Sequence, residues 1–232
     1  ELSKCSQCHL WHNSNAEEIG RLAQGYKDIK GTNTMFFIRP NQIPKGRKPT
    51  YLRVVCAYRP EKDNPERVRW TCGSDRVDYP GNVTTETADL TTSKILFNSV
   101  ISTPGGRFMG IDLKDFYLGT PMERYEYMKI PLHMFPDAIL EQYNLMDLQV
   151  NGFVYVEIRR GMYGLPQAGR LANEYLREFL EPHGYVPCPI TPGLWKHRTR
   201  DIVSRSWWTT SAYAIPKRKT RCICSPPLKV AT

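Results

Sequence analysis

The residue of this sequence that most invites chemistry is a carboxylate at the end of an apolar run. Residues 107–113 read Arg-Phe-Met-Gly-Ile-Asp-Leu, with Gly105 and Gly106 just upstream. A short, mostly apolar segment bounded by glycines predicts a buried strand that carries Asp112 at its end. An ionised carboxylate buried there is costly unless it is paired, hydrogen-bonded or bound to a metal, which makes Asp112 the first candidate functional residue. The same spacing also suits an aspartate that caps the following turn, with Asp115 in solvent. A second feature is the loop Arg-Arg-Gly-Met-Tyr-Gly-Leu-Pro-Gln-Ala-Gly over 159–169, with three glycines and a proline. Such a loop can set backbone N–H groups and polar side chains against a ligand. A third is Cys5-Ser-Gln-Cys8-His9, with His12 nearby. It could be half of a zinc site or a haem-attachment pentapeptide, but a second ligand pair is missing at any usual spacing. Free thiols near a chain end are the plainer account.

These residues need elements to position them. Residues 15–26 carry Ile19, Leu22 and Ala23 at helical spacing, with acids in the first turn and Gly25 as a stop, which predicts a short amphipathic helix. From 33 to 72 the runs NTMFFIRP, TYLRVVCAY and RVRWTCG, broken by prolines, predict a small antiparallel sheet. Residues 88–101 repeat Leu90, Ile95, Leu96, Val100 and Ile101, the pattern of a helix that covers a sheet. YEYMKIPL reads as extended, PDAILEQYNL as a helical turn or two opened by Pro136-Asp137, and NGFVYVEI as a strand entered through Asn-Gly turn chemistry. After the glycine loop, Leu171, Tyr175, Leu176, Phe179 and Leu180 line one side of an amphipathic helix.

Composition bounds what these elements can build. The 232 residues are 41% hydrophobic and 24% charged, enough for one or two domains with a real core and unlike a disordered chain or a small disulfide scaffold. Seven cysteines, an odd number at irregular spacing, point to reduced thiols. No run approaches the roughly 20 apolar residues of a membrane span, and the first residues have no signal-peptide pattern. The expectation is an intracellular protein, cytoplasmic or nuclear, with no membrane partner. Glu1 in place of an initiator Met suggests a fragment of something longer. Of the net charge of +9, +6 lies in residues 203–232, which hold six basic and no acidic side chains. A moderately charged body is joined to a basic tail of different character.

Two blocks carry a family resemblance. Phe108-Met-Gly-Ile-Asp112-Leu-Lys-Asp-Phe-Tyr117-Leu-Gly-Thr-Pro121 and Arg160-Gly-Met-Tyr-Gly-Leu-Pro166-Gln167-Ala-Gly169 resemble the first and second motifs of the reverse transcriptases of long-terminal-repeat retrotransposons, nearest the copia type. The resemblance runs from about Asn15 to Asp201. It implies an α+β chain with a partial right-hand polymerase fold. Residues 1–32 would be a connecting segment, 33–104 fingers-like, 105–202 an incomplete palm, and 203–232 an irregular basic tail. It also implies an RNA-directed DNA polymerase (a nucleotidyltransferase) from a larger polyprotein, with RNA template, DNA primer and deoxynucleoside triphosphates as partners. Asp112 would be the first catalytic aspartate, which with a later Asp-Asp pair holds two Mg²⁺ ions. Mg²⁺ is a hard ion that prefers oxygen ligands, and two such ions can clamp both ends of an in-line displacement. Leu113 would add its backbone carbonyl. Phe116 and Tyr117 would pack the incoming sugar, with Tyr117 as an aromatic gate or, alternatively, a core aromatic. Gln167 would stand beside nucleotide and template, with Gly164 and Gly169 permitting close backbone approach. Arg67 and Arg69 would contact the triphosphate, since guanidinium matches phosphate in a bidentate way; arginines on a solvated strand face are the alternative.

The departure from the family begins near Val203. The family continues into an apolar strand and an Asp-Asp hairpin; here the chain reads Val-Ser-Arg-Ser-Trp-Trp-Thr-Thr-Ser-Ala-Tyr213, and no acid follows Asp201. Trp207 and Trp208 are each encoded by TGG and Thr209 begins AC. Regrouped one base upstream, these codons spell Val (GTG) and then Asp (GAC), and permitted third bases and serine codons allow Phe-Ser-Leu-Val-Val-Asp-Asp-Phe-Gly-Val across Val203 to Tyr213. We read a frameshift close to Val203, which accounts for a tail without amphipathic period. The alternative is a basic arm around Lys217-Arg-Lys-Thr-Arg221, in a non-catalytic nucleic-acid-binding remnant. One carboxylate cannot hold two ions in register, so polymerase activity is not expected, and a sheet lacking its central hairpin is expected to aggregate.

Overall fold

The computed structural model describes residues 8–207 and 210–216. In chain order its elements are α1 (Cys8–Leu22), β1 (Gly25–Tyr26), β2 (Ile29–Lys30), β3 (Met35–Ile38), β4 (Thr50–Tyr58), β5 (Glu66–Cys72), α2 (Leu90–Ser102), β6 (Gly106–Asp112), α3 (Phe116–Gly119), β7 (Pro121–Pro131), α4 (Asp137–Gln142), α5 (Leu145–Leu148), β8 (Phe153–Arg160), α6 (Ala168–Leu180), β9 (Tyr185–Pro187), β10 (Leu194–His197), β11 (Val203–Trp207) and β12 (Thr210–Pro216). This is the mixed α and β class that the sequence predicts. No helix among the described residues is long and apolar enough to cross a membrane.

The chain divides into two units, Glu1–Val83 with Tyr117–Leu171, and Thr84–Phe116 with Ala172–Thr232. Each is built from two separate stretches of chain, not one. The reason lies in strand pairing: β7 and β8 complete the sheet that β3, β4 and β5 begin, in the order β3-β8-β7-β4-β5. Pairing is antiparallel except for β4 beside β7.

In the first unit, alternation along the strands decides which side is core. Val154, Val156 and Ile158 of β8, Met128 and Ile130 of β7, and Val68, Trp70 and Cys72 of β5 are buried. The predicted helix over 15–26 runs instead over Cys8–Leu22. It stops before Gly25 because Gly25 takes φ +126 to turn the chain into the β1–β2 ribbon. Ala16, Ile19 and Leu22 lie on one buried face of α1. The helix also satisfies the open edge of β5: Val68 N–H donates to Ser14 Oγ at 3.0 Å and Trp70 N–H to Glu18 Oε1 at 3.2 Å. The Trp70 indole donates to Asn15 Oδ1 at 2.7 Å. Covering an edge in this way removes a site for stray strand pairing. The Asn-Gly turn before β8 is found with both residues left-handed, Asn151 at φ 52 and Gly152 at φ 75.

The second unit holds an antiparallel sheet in the order β6-β12-β11-β10-β9. Its core gathers Leu180, Tyr185, Trp195 and Ile202, with Leu176, Met109 and Ile111 packed against it. Two expectations change here. The segment after Val203 was expected to be irregular, but 203–207 and 210–216 form β11 and β12, and β12 pairs with β6 from Gly106 to Asp112. Backbone hydrogen bonding accounts for this, because a ladder needs N–H and C=O groups and few particular side chains. Trp208, Thr209 and residues 217–232 of the expected tail lie outside the described residues. Second, α2 packs against the sheet as expected, its Phe97 ring 4.7 Å from that of Phe108 on β6, but of the apolar positions that suggested this only Leu96 is buried, and Leu90, Ile95 and Ile101 are exposed. Asp89 caps this helix, accepting from Thr92 N–H at 2.6 Å.

Candidate functional site

In the second unit, β6 is the edge strand of its sheet and none of its residues is buried. The sequence predicted a buried strand with a costly carboxylate; the correction is that Asp112 is exposed at the strand's end. Solvent meets its charge, so burial cost no longer argues for a partner. What remains is position. Asp112 stands opposite Thr210, the first residue of β12, in the ladder, and Trp207 of β11 pairs with the same Thr210. Leu113 follows, half-buried. The Phe116 ring lies 6.3 Å from that of Tyr175. Asp115 takes φ 53 in the turn between β6 and α3.

The other sequence-predicted residues belong to the first unit, so Asp112, Leu113 and Phe116 are grouped apart from Tyr117, Gln167, Gly169, Arg67 and Arg69. There the glycine loop docks on the end of β5. Cys72 N–H donates to the Tyr163 carbonyl at 2.8 Å, and Gly164, at φ 89, lies so close that a Cβ would stand 2.2 Å from the Cys72 carbonyl oxygen. The close approach expected of Gly164 is thus made to the chain itself. Gly161 is held in the same way, with a Cβ meeting the Tyr117 carbonyl oxygen at 2.6 Å. Tyr117 is buried, its ring 6.0 Å from that of Tyr163, and burial raises its hydroxyl pKa. The Arg69 guanidinium lies over the Tyr163 ring at 4.4 Å, while Arg67 is exposed on the outward side of β5. Alternation puts both arginines outward and Val68 and Trp70 inward.

Gln167 is fully buried. Its Nε2 donates to Glu126 Oε1 at 3.3 Å, and its Oε1 has no hydrogen-bond partner. Its backbone carbonyl accepts from Leu171 N–H at 3.0 Å in the first turn of α6, where Gly169 also lies, half-buried. Glu126 Oε2 pairs with Arg47 at 2.6 Å. Sequence reasoning missed Glu126, Arg47, Cys72 and Tyr163. For Glu126 the signal was present: in Tyr-Glu-Tyr-Met-Lys-Ile the acid shares strand parity with Met128 and Ile130, an acid on an apolar face. The Cys72 thiol, 3.5 Å from the Met162 sulfur, is pushed well above its ordinary pKa, first by burial and then by the charge of Glu126.

Among the described residues no three Asp, Glu, His or Cys side chains stand close enough to hold a metal, and Asp112 brings one carboxylate where clamping two ions takes several. Of the N-terminal motif, Cys8, His9 and His12 lie on α1, and Cys5 lies outside the described residues. No protein-family model matches this chain, and no curated protein matches its sequence.

Proposed function

We propose that the chain is the reverse transcriptase domain of a copia-type retrotransposon polyprotein, a right-hand polymerase by descent, and that it lacks polymerase activity in its present form. The observation that carries the proposal is the position of Asp112. The first motif ends its strand with an exposed carboxylate opposite the first residue of β12, and the codons for residues 208–210 are those that regroup into Asp-Asp. The last of these residues, Thr210, is the one opposite Asp112 in the ladder. Two further features support the reading. The candidate triphosphate-binding arginines lie on the outward side of β5, which the glycine loop of the second motif docks against. The second motif is a docked glycine loop with Gln167 at its end. RNA template, DNA primer and deoxynucleoside triphosphates are the partners of the ancestral reaction.

The test restores the acids in the chain as it exists. Trp208→Asp with Thr209→Asp is expected to create a binding site for Mn²⁺, used as a paramagnetic probe of divalent ions, and adding Asp112→Asn is expected to abolish it. Should the double variant fold yet bind no more Mn²⁺ than the parent, or bind it equally without Asp112, the assignment of Asp112 fails. Primer extension on an RNA template by the parent chain is expected to match that of its Asp112→Asn variant.

A further inference from the structure

We infer that the open edge of β4 pairs with the same edge of a second copy of this chain, the two β4–β5 hairpins joining antiparallel about a two-fold axis at Val55. β4 has neighbours of unequal extent. β5 runs beside it from Leu52 to Tyr58, whereas β7 meets it only at Thr50 and Tyr51; β7 ends at Pro131 and the chain then turns through Leu132–Met134. The far side of the hairpin shows which backbone groups this leaves open. Val68 and Trp70 give their N–H groups to Ser14 and Glu18 of α1, so neither donates to β4. Their register partners Cys56 and Val54 therefore aim N–H and C=O away from β5, as both members of a non-hydrogen-bonded antiparallel pair do. The ends of the hairpin keep the same alternation: Arg59 N–H donates to the Pro65 carbonyl and Gly73 N–H to the Tyr51 carbonyl. Among the described residues the outward groups of Val54 and Cys56 meet no hydrogen-bond partner.

The residues of the edge select the occupant and its register. Outward-bonding residues must meet outward-bonding residues, which leaves registers centred on Val54, Val55 or Cys56 for the middle of the strand. Centred on Val54, the copy's Ala57 and Tyr58 would fall opposite Tyr51 and Thr50, where β7 already lies. Centred on Cys56, Arg53 would face the copy's Arg59, and like charges directly opposite are destabilising. Centred on Val55, Arg53 faces Ala57, Val54 faces Cys56 and Leu52 faces Tyr58, so the open groups of Val54 and Cys56 are taken by the copy's Cys56 and Val54. Val55, 52% exposed in the single chain, is then covered by the copy's Val55. There is room for the added strand: a cavity of about 540 Å³ is lined by Val54 and Cys56 together with Trp11, Met134 and Phe135, on the side of the sheet that the copy's Val54 and Cys56 would share. An open edge invites pairing unless a charge, a proline or a bulge blocks it. Between Thr50 and Tyr58 there is no proline and no acid, and the one charge, Arg53, finds an alanine opposite. α1 closes the other edge of the hairpin, so the chain offers this edge alone of the two. Nothing in the interface depends on Asp112 or on a metal, and it stands whether or not the proposed descent is correct.

The test is analytical ultracentrifugation of the full chain, nuclease-treated and under reductant, where a concentration-dependent equilibrium of monomer and dimer is expected. Val55→Lys sets two ammonium groups opposite each other at the axis and is expected to weaken the dimer about tenfold, with unchanged circular dichroism because the side chain is exposed in the monomer. Cysteine pairing reads the register. In a Cys56→Ser background, Val55→Cys sets two thiols opposite each other with Cα atoms about 4.5 Å apart, within disulfide reach. Arg53→Cys in the same background leaves its pair four residues out of register, about 14 Å apart. Under oxidised glutathione, peptide mapping is expected to find an intermolecular disulfide at position 55 and none at position 53. A parent chain that stays monomeric, a folded Val55→Lys variant that dimerises as the parent does, or cross-linking at 53 as fast as at 55 overturns the inference.

Discussion

Replacing Gly164 by alanine should unseat the glycine loop, and the structure sets the size of the effect. Gly164 is left-handed at φ 89, and the added methyl would stand 2.2 Å from the Cys72 carbonyl oxygen and 2.8 Å from its nitrogen. Left-handed backbone costs an alanine about 1–2 kcal/mol. Both clashing atoms are backbone, so no side chain can swing aside and the loop must lift. Lifting breaks the bond from Cys72 N–H to the Tyr163 carbonyl, worth about 1 kcal/mol net, and parts Arg69 from the Tyr163 ring, about 0.5–1 kcal/mol. Together these come to about 3 kcal/mol, which in a chain of this size lowers the melting temperature by roughly 6–12 °C. Gly105→Ala is the control: it is left-handed at φ 75 with nothing near its missing Cβ, so it pays the backbone cost alone, about 1–2 kcal/mol. Thermal unfolding followed by circular dichroism compares them, and exchange of the Cys72 amide reports the local opening. If Gly164→Ala melts no lower than Gly105→Ala and the Cys72 amide stays protected, the docked loop is not as described.

Other expectations follow from the same geometry. Glu18→Ala leaves the Trp70 N–H and Arg21 without their shared carboxylate, and loss of a buried acceptor should cost about 2 kcal/mol, read as a shift in the urea midpoint at unchanged slope. Backbone N–H groups of Ile190 and Thr191 hold the Cys188 thiol below its ordinary pKa, whereas burial holds Cys72 far above. Iodoacetamide at pH 8 should therefore label Cys188 ahead of Cys72 in peptide mapping, and equal rates would contradict the burial of Cys72. The Asp89 carboxyl is lowered by its bonds to Thr92, so its cap stabilises above the unfolded carboxylate pKa and is lost as pH falls through the folded value. Asp89→Asn should keep the cap and flatten that part of the acid dependence, measured by urea unfolding between pH 5 and pH 3.

Local chemistry was legible in the sequence where it was strong. The Asn151-Gly152 turn, the strand it opens, the helical turns after Pro136 and the amphipathic stretch beginning near Leu171 are all found. Ranges slipped where a backbone conformation decided: α1 stops short because Gly25 is needed in a ribbon. Asp112 was misjudged because a short apolar run cannot tell a buried strand from an edge strand, and β6 is an edge. Strand partners were beyond reach for a physical reason. β3 pairs with β8 and β4 with β7, across separations that no local pattern encodes, so neither the two-part make-up of the units nor the Glu126–Gln167 contact could be seen. The strands after Val203 escaped notice because backbone ladders tolerate sequence that carries no amphipathic signal.

The measurement that most directly tests the reading of a lost frame is the nucleotide sequence across the codons for Asp201 to Tyr213. The account predicts ACG for Thr209, whose last base begins the second aspartate codon, together with third bases at 203–206 that spell Phe-Ser-Leu-Val in the upstream frame. Any other third base at Thr209 would give Tyr, His or Asn in place of that aspartate, and would contradict a frame lost near Val203.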